Sequence, residues 1–433
     1  MTNRSLASGL RRAQHAGNKL AYQDLYNMVP KHSLLAALLA VAAATTAAAA
    51  AAPPPIFGAI RWDCWNGNTQ DVISSTVAEV MAPPRYHWRL PWYAQVDSAN
   101  ETHVTFDGDE QSVMDAELKA ASVAGLSFWA YDTYCEWPTD RAIPQCQGYW
   151  GKDPQGHGPT SLGYQARDPA YGLKRHLSSD VKHLMNISLV LLGASPALPV
   201  MRARYLKIIK DEAFQTVLGG RPLIFLFQAS DDEAAMNGGW VSWRAQWDAF
   251  RQESVAQGSG DPYFVAMTVG ADPSRAVSLR KHLGFDAVSA YAIPGGTLDG
   301  TPYAEQINTT HQFWAKAKGL GEKLVPPVPT GWDPRPRGDL KNKTGGKRPI
   351  WVNEGDRHYI EPTAAELTGL IEDASAFIGA EPEVAESGAA IVYAWNENTE
   401  GGWLIPTLGN GDQRIRAVAK ALGKFGSSGT GEA

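Results

Sequence analysis

Glu397 and Glu400, in the run Trp395-Asn396-Glu397-Asn398-Thr399-Glu400-Gly401-Gly402, are the residues whose type and spacing suggest chemistry. Two side chains three residues apart on a turn have Cβ atoms about 5–6 Å from each other, so both carboxyl groups can face one bound molecule. Cleaving a glycosidic bond needs a proton donor at the leaving oxygen and a second carboxylate that supplies or activates the nucleophile. In an apolar, aromatic-lined mouth the two pKa values are pushed apart, leaving one acid protonated near neutral pH. A structural reading competes, in which one glutamate complements a helix start and the other is a surface residue.

The elements that must position such a pair follow from the apolar pattern. Short apolar runs at 56–62, 126–132, 188–192, 223–227, 263–269, 287–291, 324–329 and 390–395 predict eight strands. Amphipathic stretches at about 69–81, 109–124, 199–218, 241–256, 273–283, 301–318 and 363–378 predict the helices between them, and 413–422 one after the last strand. The alternation predicts an α/β fold, a (β/α)8 TIM barrel in a single domain over residues 53–424. The glutamates then fall at the carboxyl end of strand eight, the face where barrel enzymes build their sites. Long segments at 88–108, 134–170 and 331–359 fall on the same face and are rich in Trp, Tyr, Pro, Asp and Arg.

Aromatic faces with interspersed carboxylates and amides suit a sugar, whose C–H face packs on rings while its hydroxyls need hydrogen bonds. With fifteen tryptophans in the chain, some are expected in binding although most large aromatics are buried for packing. The candidate binding residues are Asp63, Trp65, Asp132, Tyr134, Tyr291, Trp332, Asp333, Trp395, Asn396 and Trp403. Asp63, Asp132 and Tyr134 follow the first two strands and could bind hydroxyls, orient a glutamate or simply cap loops. Asp333 with Arg335 and Arg337 could grip an anionic substituent or form a structural ion pair. Lone His87 reads as a loop residue, and Glu354 in Asn353-Glu354 is a second-rank acid.

The segment Tyr393 to Leu404 carries an apolar strand followed by Asn-Glu-x-x-Glu-Gly. It resembles the last-strand signature of glycoside hydrolase family 99, the endo-α-mannosidase family, and of its WbsX-like relatives. The likeness extends to Gly125-Leu126 leading toward Tyr134, to Gly284-Phe285-Asp286-Ala287, and to Val328-Pro329-Thr330-Gly331-Trp332-Asp333 before Arg335 and Arg337. The resemblance implies a retaining hydrolase of α-linked glycans, with mannose as the implied sugar. By it, Glu397 matches the base that draws the proton from the substrate's own 2-hydroxyl. Glu400 matches the acid that protonates the leaving group and then activates water. Double displacement through one glutamate is equally compatible with the spacing. The residues around the pair, Asn398-Thr399 and Gly401-Gly402-Trp403, depart from many family members, which leaves the substrate open. A non-catalytic carbohydrate-binding barrel, or a glycan-processing partner of a glycosyltransferase, is the alternative function.

Composition narrows the rest. Hydrophobic residues make up 44% and charged residues 19%, enough for one large core. A net charge of −6 without a long Lys/Arg cluster gives no footprint for nucleic acid. Metal-ligand spacing, a phosphate-cradling glycine loop and a Gly-x-Ser-x-Gly elbow are all missing, so neither a metal nor another cofactor is expected. Lys31-His32 before the apolar run 34–41 and the Ala/Thr-rich stretch to Pro53 read as a signal peptide within an N-terminal extension, residues 1–52, or as an uncleaved membrane anchor. Residues 1–27, upstream of Met28, are set apart from the fold. The expected location is secreted or in the secretory lumen. Cys135 could pair with Cys146 or with Cys64 in that oxidising setting, and Asn100, Asn186, Asn308 and Asn342 begin glycosylation sequons. Residues 425–433 are expected as a disordered tail.

Overall fold

A computed structural model describes residues 54–69, 72–133, 171–193, 196–345 and 355–424. Its centre is a parallel sheet of eight strands: β1 (Ile56–Arg61), β2 (Phe128–Thr133), β3 (Asn186–Leu192), β4 (Arg221–Phe227), β5 (Tyr263–Thr268), β6 (Ala287–Ala290), β7 (Pro327–Pro329) and β8 (Ala389–Tyr393). Each pairs with its sequence neighbour except β6 with β7, and β8 returns to β1 with Ile56 opposite Ala389. Between β6 and β7 the seam closes through Val288, which receives a bridge from Leu324. The strands form the expected (β/α)8 barrel, and all eight expected runs contribute one.

Period-two alternation sorts the side chains into two cores. Phe128, Ala130, Val190, Phe225, Val265, Met267 and Ile391 fill the barrel, whereas Trp129, Ile187, Leu189, Leu226, Phe264 and Val392 point outward to the helices. A third cluster of Trp62, Trp65, Ile73, Val77 and Phe106 packs beside the mouth near β1.

The helices are α1 (Val72–Met81), α2 (Gln111–Ala124), α3 (Tyr171–Leu177), α4 (Pro199–Ile209), α5 (Asp231–Met236), α6 (Trp240–Ala256), α7 (Ser274–Leu283), α8 (Tyr303–Gly319), α9 (Arg335–Thr344), α10 (Ala364–Ala380) and α11 (Gln413–Ala421). Local signals set several ends. A reciprocal capping box between Thr363 and Glu366 starts α10, and left-handed Gly284 stops α7.

Three stretches depart from expectation. The helix expected over 199–218 ends at Ile209, because the Asp211 carboxylate accepts from the Ala213 amide in a turn and Thr216–Val217 then pairs with the start of β4. The segment 88–108 contains a hairpin, Gln95–Asp97 with Asn100–Thr105. The segment 331–359, expected as loop, contains α9, with Pro336 in its first turn where no amide donor is missed. The expected disulfide partners Cys135 and Cys146, the acid Glu354 and the segment 134–170 lie outside the described residues; Cys64 is a buried free thiol. Among the described residues, no helix is long and apolar enough to cross a membrane.

Candidate active site

The inward parity that puts Phe128 and Ala130 inside the barrel carries Asp132 to the top of its interior, and the parity of Ala389 and Ile391 does the same for Tyr393. Beyond β8 the chain passes a cis peptide between Tyr393 and Ala394 and continues beside β1, where the Trp395 amide donates to the Ile60 carbonyl at 2.7 Å. Asn396 then acts as a two-pronged clamp. Its Oδ1 accepts from the Trp62 amide at 2.9 Å, and its Nδ2 donates to the Trp62 carbonyl at 2.7 Å. Trp65 adds a bond from Nε1 to the Asn396 carbonyl at 3.0 Å.

From this fixed point Asn396–Glu397 runs antiparallel to Gly402–Trp403, and the Glu400 amide donates to the Glu397 carbonyl at 3.0 Å. The two glutamates therefore occupy the two ends of one tight turn. Gly401, at φ +88°, closes it, and a Cβ there would overlap the backbone of Asp333. The reason is close contact between two loops: the Asp333 amide donates to the Glu400 carbonyl at 2.5 Å.

Arg337 of α9 reaches across to the pair. Its Nη2 donates to Glu397 Oε2 at 3.2 Å, its Nη1 to Glu400 Oε1, and its Nε to Thr399 Oγ1 at 3.0 Å. The guanidinium is buried and lies 5.3 Å from the centroid of the Trp62 ring. Tyr393 Oη donates to the other Glu400 oxygen, and Tyr291 Oη stands 2.8 Å from Glu397 Oε1 and 2.7 Å from Asp132 Oδ2. Glu397 is 3% exposed and Glu400 8%.

This burial governs the charges. Loss of solvent, reinforced by the nearby charge of Glu400, pushes the Glu397 carboxyl up to about 8, while Arg337 and Tyr291 pull the other way. Glu397 therefore keeps a proton near neutral pH. Burial also raises Asp132 well above the usual carboxylate range; Tyr291 opposes the rise, and Glu397, Asp63 and Glu400 add to it. A buried carboxyl that holds a proton near neutral pH is one requirement of acid/base catalysis.

Through Tyr291 and Arg337 the structure brings Glu397, Glu400 and Asp132 into one hydrogen-bonded group, with Trp332 tilted against its edge, 6.2 Å from the Tyr393 ring. The other candidates sit outside this group. Asp63 accepts from Arg61 Nε at 2.8 Å and is closed over by Gly172. Asp333 binds Arg335 at 2.7 Å through both oxygens and also pairs with Arg89, so the triad expected with Arg335 and Arg337 is divided. Trp65, Trp395 and Trp403 are buried; Trp395 packs on Trp129, and Trp403 lies under the Arg414 guanidinium at 3.5 Å. These three, with Asn396, support the turn. His87 bonds the Ala82 carbonyl. Tyr134 lies outside the described residues. Tyr393 and the role of Arg337 in joining the pair escaped sequence reasoning. Tyr393 ends an apolar strand and looks like core, whereas Arg337 had a visible signal in its position after β7.

No family model matches the chain, and no curated protein matches it in sequence. Among solved structures, the chain is similar in fold to a glycoside hydrolase-like protein, with 12% identity, 86% of this chain and 95% of that one covered, and a TM-score of 0.49. A GH99 endo-alpha-mannosidase from Bacteroides thetaiotaomicron matches with 11% identity over 85% of this chain and 97% of its own, at a TM-score of 0.46. The GH53 catalytic domain of Ignisphaera aggregans matches with 10% identity over 74% and 90%, at 0.35.

Proposed function

We propose that this protein is a retaining glycoside hydrolase of an α-linked glycan, with mannose as its sugar, and that Glu397 and Glu400 are its acid/base pair. The observation that carries the reading is the shared guanidinium: two buried glutamates at the carboxyl end of the barrel bond to the two terminal nitrogens of Arg337.

Glu397, with Tyr291 and Arg337 fixing its two oxygens, takes the proton of the substrate's 2-hydroxyl as that oxygen attacks the anomeric carbon. Glu400, protonated in the reacting form of the pair, gives its proton to the departing oxygen and then takes one from the water that opens the anhydro sugar, while Glu397 returns its proton to the 2-oxygen. Two inversions give net retention. Arg337 balances negative charge as it moves between the carboxyls. The protein acts in the secretory lumen or outside the cell, a reading that rests on the apolar segment before Pro53 and that N-terminal sequencing of exported protein tests.

The decisive experiment incubates purified protein with a panel of α-linked mannans and glucans and follows product anomers by NMR. Retained anomers are expected, with Glu397→Gln and Glu400→Gln each reducing turnover by about 10²–10⁴-fold. Inverted products, or full activity in Glu400→Gln, defeat the mechanism. Glycan binding without turnover, altered only in affinity by both substitutions, identifies a binding barrel instead.

A further inference from the structure

The Tyr291 hydroxyl stands between two carboxylate oxygens, 2.7 Å from Asp132 Oδ2 and 2.8 Å from Glu397 Oε1. A phenol has one proton and can donate to only one of them. For both short contacts to be hydrogen bonds, the other carboxyl must donate to the phenol oxygen and so must itself be protonated.

The surroundings decide which. Glu397 has a guanidinium on its second oxygen. Asp132 is 7% exposed, its Oδ1 is buried without a hydrogen-bond partner, and no ion pair joins it to a cation among the described residues. The charged groups facing it are carboxylates: Glu397 and Glu400 from the turn after β8, and Asp63 after β1, the last already neutralised by Arg61. The neighbouring strand β3 contributes no ionisable side chain. An ionised carboxylate in that position would be buried with neither a cation nor a full set of donors, the arrangement that costs most.

We propose that Asp132 is a protonated positioning residue, donating to the Tyr291 oxygen so that the Tyr291 proton is aimed at Glu397 and favours its ionised form, the form that acts as the base. The chain of donors runs Asp132 to Tyr291 to Glu397, with Arg337 on the far oxygen. The inference rests on the role given to Glu397 above. It also explains why the barrel spends an inward-facing position of β2 on an acid that meets no cation.

Infrared spectroscopy tests it without turnover. At pH 7 the wild-type protein is expected to show, within the C=O stretch of its protonated carboxyls, a component that shifts in protein grown with carboxyl-13C aspartate, is missing in Asp132→Asn and persists in Glu397→Gln. Absence of any label-sensitive component, or a label-sensitive component that is unchanged in Asp132→Asn, overturns the proposal. The isotope arm uses wild-type protein and so stands even if a variant does not fold. In kinetics, Tyr291→Phe is expected to raise the acidic limb of kcat/KM by about one pH unit, since Glu397 loses a donor to its charged form. An unmoved limb counts against the relay. Should no glycan be cleaved, the hydrolase reading fails while the infrared result still decides where the proton resides.

Discussion

Arg337 is the residue on which the charge balance of the site turns. It is the sole cation with an ion pair to either glutamate among the described residues, and it bonds both. Replacing it with Met would leave two buried carboxyls without a counter-ion; breaking a buried pair from one side typically costs about 3–5 kcal/mol. Arg337→Met is therefore expected to lose stability at pH 8 far more than at pH 5, where the carboxyls can protonate, and denaturant melts at the two pH values check this. Arg337→Lys offers a point charge that cannot fork to both acids and should fall between. Glu397 itself makes a linked prediction. Its carboxyl is raised from 4.5 to about 8 by folding, so its contribution to stability is fully present below the unfolded value and is lost as pH rises through 8. Glu397→Gln keeps the size without the charge. Relative to wild type it should gain stability between pH 5 and pH 9, on the order of a few kcal/mol. A difference that is flat with pH would show that the glutamate is not held in this environment.

At the scale of elements, the turn bearing the pair is held by two neighbours rather than by its own few hydrogen bonds. Asn396 pins its start to the end of β1, and Arg414 of α11 donates to the carbonyls of Thr330, after β7, and Trp403, at 2.9 and 2.8 Å. Asn396→Ala would strip the Trp62 amide of its Asn396 acceptor, at about 1–3 kcal/mol, whereas the Trp62 carbonyl keeps the Cys64 amide at 3.0 Å. Because Asn396 is one residue from Glu397 and meets backbone rather than the mouth, the expected kinetic signature is a fall in kcat of tenfold or more with KM little changed. A rise in KM alone would place Asn396 among the binding groups. Gly401→Ala tests the opposite side of the turn. The substituted residue must adopt φ near +88° and push the Asp333 backbone away, so stability and kcat should fall together.

Across the whole molecule, what the chain revealed before its structure was known is what depends on local pattern. The barrel strands are legible because both of their faces are buried, which produces continuous apolar runs such as Leu223 to Phe227. The acid pair is legible because one turn holds both members. Arg337 meets them from 60 and 63 residues away, a distance no local pattern encodes, and α9, which carries it, has a Pro- and Arg-rich sequence without an apolar stripe. The same distinction applies to the seam of the barrel. Residues 326, 327 and 329 are prolines and donate no backbone hydrogen bond, so Val328 is the only donor within β7. The β6 side closes through two bonds, Val288 amide to Lys323 carbonyl at 2.9 Å and Val325 amide to Val288 carbonyl at 3.0 Å. By contrast β2 and β3 pair over six residues, Phe128 with Asn186 through Thr133 with Leu191. Local opening follows the density of such bonds. Amide hydrogens of Val288, Val325 and Val328 should thus exchange with deuterium well before those of Ala130, Leu189 and Val190. The mouth inherits the difference: Asp132 stands on the tight side of the barrel, whereas Trp332 and α9 follow the loose one. If the seam is the weak line, a glycan that bridges the two sides should slow exchange at Val288 and Val325 more than at β2. Equal protection on both sides in the unliganded protein would remove the seam as the place where the barrel opens.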